Sequence, residues 1–374
     1  MDFYFVYSAG GGAGDWNGIN RVFAEFMPEY FKNNILLKFG DIFFNHRSND
    51  SIIKSRIWHQ VSDARSWIIN KTNDNTLRNS EGMIMDVGTT KIVSYITSQD
   101  EKIKAKQLIS RFNRILEQER ILDKYCDIIT QSSIQNAVTF DIPNLFKVRS
   151  QIGYVNRNLF NEEDCKTELL DACARYANYT YHHTGCNPDV LLTTINLAWS
   201  EGDLNYFFSK LDYQPTKIAV GGGAFYPTES MGEALKRLDA ILHLADYKKV
   251  HFLGCGGLKK TSVIKNTLGN HNTFSVDNTT PFNRGIDGNT NGTKMSGYYD
   301  YLSGDMIRIN PSTICNILDR HQKANTVSHF SVDEMKEILQ SILSHQSHHS
   351  SPETYESRAK LIIHNFDVFR HLNK

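Results

Sequence analysis

The chain has 374 residues, and its 41 lysines and arginines balance 41 aspartates and glutamates, which gives a formal net charge of zero. This balance excludes a protein that is basic over its whole surface, so any binding to nucleic acid would need a local basic face. The hydrophobic fraction of 40% supports a large core. No run approaches the roughly 20 apolar residues of a membrane helix. No secretory leader is recognisable at the start, so we expect a cytoplasmic protein.

Eight apolar runs each lead into a polar turn or a helix-like stretch, which is the rhythm of repeated βα units. Because a closed parallel barrel has eight strands, the sequence predicts the α/β class and a (β/α)8 TIM barrel. In chain order the predicted strands are Phe3–Ser8, Asn34–Phe39, Met83–Gly88, Ala137–Asp141, Val190–Leu197, Lys217–Gly222, Val250–Gly254 and Thr273–Asp277.

Helical patterns fill most of the segments between these runs. The predicted barrel helices are Gly18–Tyr30, Ser51–Asn70, Gln99–Tyr125, Asn161–Thr180, Glu201–Leu211, Thr228–Ala245 and Lys259–Leu268. A polar stretch rich in glycine and asparagine follows the eighth strand, and three more helices are predicted after it, at Ser312–Ala324, Ser331–Ser344 and Ser351–Leu372. We therefore expect a barrel catalytic domain over 1–297 and a C-terminal helical appendage over 298–374 that packs on the barrel.

Carboxylates, an amide and bare glycines close six of the predicted strands. These residues are Asp86, Asp141, Asn196, the run Gly221, Gly222 and Gly223, then Gly254 and Asp277. Aspartate has low strand propensity and loses hydration beside a core, so a carboxylate at the end of a buried strand is costly as plain structure. Singly, each residue could cap a turn or permit a positive φ. Together they predict one shared site, because the carboxyl ends of barrel strands meet at one mouth.

Two of these strand ends resemble the catalytic motifs of tRNA-guanine transglycosylases. The run DNTTPFNRGIDG, which begins at Asp277, resembles the stretch around that family's nucleophilic aspartate, with Pro281 and Gly288 at the family's spacing. The run MIMDVGTTK resembles the segment that carries the second catalytic aspartate, here Asp86. The resemblance implies that Asp277 is a nucleophile and that Asp86 exchanges protons with the departing and incoming bases.

The resemblance extends over about residues 80–290 in the same order. Phe140 and Asp141 resemble the family's base-recognition Phe-Asp pair, and Asn196 stands where the family has glutamine. AVGGG, which ends at Gly223, resembles its Ile-Gly-Gly segment, and LGCG, which begins at Leu253, resembles its Met-Gly-Val-Gly loop. The residues implied to bind the base are Asp141, Asn196, Gly221, Gly222, Gly223 and Leu253.

The departures from the family's pattern concern its RNA surface. Val87 replaces the family's serine, Thr90 its base-stacking aromatic residue and Lys91 its glutamine. Two arginines that grip the tRNA loop fall on Asn283 and Ile286. These changes favour the branch that exchanges guanine in DNA for a 7-deazaguanine, which occurs in bacterial modification clusters and in phages.

The resemblance therefore implies a DNA-guanine transglycosylase that inserts a base such as 7-cyano-7-deazaguanine through a covalent aspartyl-DNA intermediate. Its expected partners are DNA with the target guanine flipped from the stack and the free deazaguanine base, with no membrane. No cofactor is expected. The family's C-x-C-x-x-C…H zinc motif is missing, and Cys315 and His321 alone do not hold a structural zinc, so no metal is expected either. Phosphate contacts are expected from Lys91, Lys259, Lys260, Arg284 and Lys294, which lie near strand ends in the sequence.

Three alternatives remain open from the sequence. The first is a tRNA-guanine transglycosylase with a divergent RNA surface. The second is a catalytically silent nucleic-acid-binding paralogue, against which the retention of both Asp86 and Asp277 argues. The third is an unrelated barrel enzyme that binds a phosphorylated metabolite, which leaves the DNTTP run without a purpose. The inserted deazaguanine, the preferred DNA sequence and the oligomeric state stay open.

Overall fold

The computed structural model describes residues 1–7, 34–40, 83–132, 134–150, 153–286, 288–290, 293–324, 326–344 and 355–373. The predicted helices Gly18–Tyr30 and Ser51–Asn70 lie outside the described residues. Within these ranges, no helix is long and apolar enough to cross a membrane.

Eight parallel strands close into a barrel, which confirms the predicted (β/α)8 fold. In chain order the first ten strands are β1 (Asp2–Tyr7), β2 (Ile35–Lys38), β3 (Ile84–Asp86), β4 (Asn136–Val138), β5 (Leu145–Ser150), β6 (Gly153–Asn158), β7 (Leu191–Asn196), β8 (Lys217–Gly221), β9 (Lys249–Phe252) and β10 (Phe274–Asn278). Around the barrel their order is β1-β10-β9-β8-β7-β4-β3-β2, while β5 and β6 form a separate antiparallel hairpin.

The strands are apolar on both faces because helices cover the outside and side chains fill the inside. All six residues of β7 are buried, as are four of the five in β8. The register pairs Asn196 with Gly221 on β7 and β8, and Tyr4 with Asp277 on β1 and β10. Polar residues at the carboxyl ends of the strands therefore surround one mouth.

Eight helices are described between the barrel strands and after β9. They are α1 (Thr90–Gln99), α2 (Ala105–Gln118), α3 (Ile121–Gln131), α4 (Leu159–Glu162), α5 (Lys166–His183), α6 (Glu201–Ser209), α7 (Thr228–Leu242) and α8 (Leu258–Leu268).

Two of the helix predictions are wrong in their bounds. The single helix predicted over Gln99–Tyr125 covers the last residue of α1, all of α2 and the start of α3. The helices are separate because Asp100 is extended at the end of α1 and Arg120 takes a left-handed φ of 51° before α3. The helix predicted from Asn161 begins at Lys166, since α4 and the extended Glu163 come first.

Beyond β10 the described residues form two hairpins and four helices. They are α9 (Thr280–Ile286), β11 (Gly288–Thr290), β12 (Thr293–Met295), β13 (Gly297–Tyr299), β14 (Met306–Arg308), α10 (Ile314–Lys323), α11 (Val332–Ser344) and α12 (Tyr355–Leu372). α12 packs on the barrel through Phe366, whose ring centroid lies 4.2 Å from that of Phe5 and 5.9 Å from that of Phe3. The domain boundary at residue 297 stays a prediction.

Candidate active site

The Asp277 carboxylate is held at the end of β10 by two groups from the neighbouring strand and loop. The Gly254 N–H donates to Oδ1 over 2.6 Å, and His251 Nε2 lies 3.2 Å from the same oxygen. The Gly256 N–H donates to the Asp277 carbonyl over 2.8 Å. Among the described residues, both contacts to the carboxylate end on Oδ1.

The glycines of the loop after β9 are required by this close approach. Gly254 has a φ of +67°, which L side chains rarely adopt, and a Cβ there would lie 2.9 Å from the Ala224 side chain. A Cβ on Gly256 would lie 2.6 Å from Phe3 Cε2 and 2.9 Å from the Asp277 carbonyl oxygen. Larger residues at either position would displace the loop that holds the Asp277 carboxylate.

A second cluster surrounds Asp141, which follows β4. The Thr89 hydroxyl donates to Asp141 Oδ1 over 3.0 Å. A Cβ on Gly221 would lie 3.8 Å from Asp141 Oδ2, and one on Gly222 would lie 2.6 Å from Asn196 Oδ1. Asn196 accepts the Ala198 N–H on Oδ1 over 3.1 Å, while its buried Nδ2 has no hydrogen-bond partner among the described residues. The cluster therefore combines a carboxylate acceptor, an unused amide donor and bare glycine backbone.

The pKa of the Asp141 carboxyl is shifted toward neutrality. Burial removes hydration and raises its pKa to about 7; the Thr89 hydrogen bond opposes the shift and the charge of Asp86 adds to it. Asp86 itself accepts the Gly88 N–H on Oδ1 over 3.2 Å, which closes the turn after β3. At neutral pH the Asp141 carboxyl therefore exists in both protonation states.

The two clusters face each other across the mouth. β10 and β4 are four strands apart in either direction around the barrel, so Asp277 and Asp141 lie on opposite sides. The loops between them are in contact, because a Cβ on Gly223 would lie 2.4 Å from Cys255 Sγ. A flat ligand in the mouth would meet Asp277 on one side and Asp141 on the other.

Three more of the predicted residues lie outside these two clusters. Leu253 is half-buried and its N–H donates to Val220 O over 3.1 Å, at the rim between β8 and β9. Phe140 is buried in the core, edge-on to Tyr125 at 5.2 Å, so it packs beneath the mouth. Lys260 donates to the Gly223 and Ala224 carbonyls, so a phosphate contact there would cost hydrogen bonds that support the β8–α7 loop.

The other predicted phosphate-binding residues are distributed around the strand ends. Lys259 is exposed at the start of α8, and Lys91 is half-buried in the first turn of α1. Arg284 is half-buried on α9, interacts with Tyr299, and has a buried Nη1 without a hydrogen-bond partner in the described chain. Lys294 is on β12, and its side chain lies outside what the structure describes. The predicted phosphate contacts stay a prediction.

Sequence analysis missed His251, Ser275 and Thr89. His251 is fully buried, and its ring lies between the Asp277 carboxylate and the Ser275 hydroxyl. The sequence did contain a signal for two of these residues. His251 stands between the apolar residues Val250 and Phe252. Ser275 stands two residues before Asp277 and so lies on the same face of its strand. Thr89 could not be found in this way, because its partner Asp141 is 52 residues away in sequence.

The zinc candidates are not brought together. Cys315 is exposed, whereas His321 is buried and its ring nitrogens lie 3.2 Å from Tyr298 Oη and 2.8 Å from Phe330 O. Over the described ranges, no group of three or more His, Cys, Asp or Glu side chains could hold a metal ion.

Two open grooves of about 520 and 430 Å³ lie along α2, away from the strand-end residues. The walls of the larger groove mix Lys106, Arg114 and Arg175 with Glu117 and Glu168, so they offer no uniform charge to a phosphate backbone. The mouth of the barrel is the better candidate for a site.

No protein-family model matches the chain, and no curated protein is significantly similar to it. The fold is established by the closed barrel alone, and TIM barrels support many chemistries. The activity must therefore be argued from the two clusters at the mouth.

Proposed function

We propose that this barrel is a base-exchanging transglycosylase that replaces guanine in DNA with a 7-deazaguanine base. The observation that carries the proposal is the placement of Asp277. Its carboxylate is buried and is held through one oxygen, Oδ1. It lies on the opposite side of the mouth from the cluster of Asp141, Asn196 and Gly221. That pairing provides a nucleophile on one side of the mouth and a purine-edge binding surface on the other. The barrel fold itself supports an enzyme only in general terms.

The base-binding cluster matches the edge of guanine and its deaza analogues. These bases present N1–H and an exocyclic amine, which a carboxylate accepts, beside a carbonyl oxygen that needs a donor. Ionised Asp141 supplies the acceptor, and Asn196 Nδ2, which has no hydrogen-bond partner among the described residues, supplies a donor. Adenine carries an amine where guanine has its carbonyl, so it would leave that donor unpaired in a buried site.

The chemistry proceeds in two displacements. Asp277 Oδ2 attacks C1′ of the deoxyribose, the C1′–N9 bond breaks, and guanine leaves with a proton supplied by Asp86. The incoming base then loses its N9 proton to Asp86 and attacks C1′, the ester bond to Asp277 breaks, and the carboxylate is restored. A carboxylate suits both steps because it stabilises oxocarbenium-like charge and is a fair leaving group.

Base exchange with labelled guanine tests the proposal. Purified protein is incubated with radiolabelled guanine and duplex DNA, and in parallel with tRNA. Label entering DNA supports the proposed function, and label entering only tRNA supports the RNA-modifying alternative. No exchange on either nucleic acid, with a folded protein, would reject both and favour the silent paralogue or an unrelated barrel enzyme.

A further inference from the structure

His251 is a buried polar side chain inside the barrel wall. It lies on β9 between the apolar residues Val250 and Phe252 and is fully shielded from solvent. Its neighbours in register are Ala219 on β8 and Ser275 on β10. A buried imidazole is costly unless both ring nitrogens have partners, and here both do.

The ring is fixed on three sides. Nε2 lies 3.2 Å from Asp277 Oδ1, and Nδ1 lies 2.9 Å from Ser275 Oγ. The Tyr4 ring meets the imidazole edge-on, with centroids 5.3 Å apart and planes at 78°. These contacts leave the imidazole one orientation, with Nε2 directed at the nucleophile.

The hydrogen-bond geometry indicates which ring nitrogen carries a proton. Ser275 Oγ is 2.9 Å from His251 Nδ1 but 3.4 Å from the Val250 carbonyl, so its hydrogen is better placed on Nδ1. Nε2 then carries the proton and donates to the Asp277 carboxylate. The opposite tautomer would set a bare Nε2 lone pair against a carboxylate oxygen, which is repulsive.

We propose that His251 is a positioning residue for Asp277: its Nε2–H holds Oδ1, keeps Oδ2 directed into the mouth, and stabilises the carboxylate as it leaves C1′. This inference rests on the proposed function for its catalytic part. A donor that stabilises the free carboxylate assists the second displacement, in which the ester bond to Asp277 breaks. Loss of the Nε2–H donor should therefore slow the breaking of the ester bond to Asp277 more than the formation of that bond.

Two titratable groups near the pair, the Cys255 thiol and the Tyr4 hydroxyl, are neutral at pH 7. Burial raises the pKa of the Cys255 thiol to about 12 and also raises that of the Tyr4 hydroxyl. Lys249 donates to Tyr4 Oη, and its ammonium lies over the Tyr4 ring, 4.6 Å from the centroid. Tyr4 therefore packs against His251 as a neutral aromatic ring, and Lys249 is a charged group in contact with that ring.

Two amide variants test the role as a matched pair. His251→Gln places an amide nitrogen near the position of Nε2 and keeps the donor to Asp277, whereas His251→Asn reaches only the position of Nδ1 and keeps the Ser275 contact. We expect His251→Asn to lower kcat about 10- to 100-fold, the usual effect of losing a hydrogen bond to a charged group, with the KM for guanine unchanged. His251→Gln should recover most of that loss. The covalent DNA adduct should form a larger fraction of His251→Asn than of the wild type at steady state.

Nitrogen-15 NMR of the histidine side chains gives a readout that does not need activity. The wild type should show His251 protonated on Nε2 and bare on Nδ1, and Asp277→Asn should shift the Nε2 resonance. A bare Nε2, or equal kcat in His251→Asn and His251→Gln, would overturn the positioning role. If the tautomer is as expected but the wild type exchanges no base on DNA or tRNA, the proposed function fails and the hydrogen-bond assignment stands.

Discussion

The sharpest test of the base-binding cluster is Asp141→Asn, because the Asp141 carboxyl has a hydrogen-bond partner, Thr89, and a shifted pKa. Burial, partly offset by the Thr89 hydrogen bond and reinforced by Asp86, raises its pKa to about 7. Guanine donates two hydrogens to this site, so it should bind only the ionised form. With a pKa of about 7, the ionised fraction rises from about one tenth at pH 6 to about nine tenths at pH 8. The affinity for guanine should therefore rise about tenfold between those values.

Asp141→Asn removes the charge while keeping the size and the Thr89 contact. Hydrogen bonds to charged groups contribute about 1.5–3 kcal/mol, so the variant should bind guanine about 10- to 100-fold more weakly at pH 8 and lose the pH dependence. Equilibrium dialysis with labelled guanine from pH 5.5 to 8.5 measures both effects. Asp212→Asn is the matched control, since Asp212 is an exposed carboxylate that contacts His182. Flat binding in the wild type, or an unchanged slope in Asp141→Asn, would refute the assignment.

The same substitution should stabilise the fold at high pH. A carboxyl with a pKa raised above its unfolded value holds more protons folded than unfolded between about pH 4 and 7, so stability falls as the pH rises across that window. The pKa rise corresponds to about 4 kcal/mol, and because the Asp141 side chain is only half-buried the expected gain in stability is about 2 kcal/mol. Urea unfolding should show Asp141→Asn more stable than the wild type at pH 8 and equal to it at pH 3.5. Equal stability at pH 8 would show that Asp141 is not strained by burial.

Three further predictions concern the loop, the appendage and the metal. Gly256→Ala places a methyl group 2.6 Å from Phe3 Cε2 and 2.9 Å from the Asp277 carbonyl, so it should lower base exchange at least about tenfold; an active variant would show that the loop tolerates movement. His364 is fully buried with Nε2 on the Tyr299 carbonyl, and burial lowers its pKa to about 3, so stability is lost as the pH falls below 6.5. The wild type should lose about 2 kcal/mol more than His364→Gln between pH 7 and 5 in urea unfolding, and parallel losses would remove His364 as the cause. Elemental analysis of chelator-washed protein should find no zinc, and stoichiometric zinc would point back to the RNA-modifying branch.

The barrel could be predicted because eight short apolar runs recur along the chain, and several of them lead into an aspartate, an asparagine or a glycine. The β5–β6 hairpin was not predicted: LFKVRS alternates apolar and charged residues, but GYVNRN, whose tyrosine and valine are adjacent, shows no such alternation. The break at Arg120 in the long predicted helix could not be predicted either, because no sequence pattern marks an arginine with a left-handed φ.

Within the site, the sequence predicted which residues lie together better than it predicted what each residue does. Asp141, Gly221, Gly222 and Asn196 are brought together at one side of the mouth, as expected for strand ends. The raised pKa of Asp141 depends on burial by residues distant in sequence, so no local pattern could indicate it. His251 could have been suspected from its place in an apolar strand, but its partner depends on the register of β9 with β10.

The central claim is that Asp277 forms a covalent bond to DNA during base exchange. Wild-type protein and Asp277→Asn are incubated with duplex DNA and labelled guanine, quenched in denaturant, and analysed for a protein–DNA adduct and for label in the DNA. The expected result is an adduct and exchange in the wild type, neither in a folded Asp277→Asn, preference for DNA over tRNA, and weaker binding as salt rises. Normal exchange by Asp277→Asn, or exchange confined to tRNA, would contradict the account.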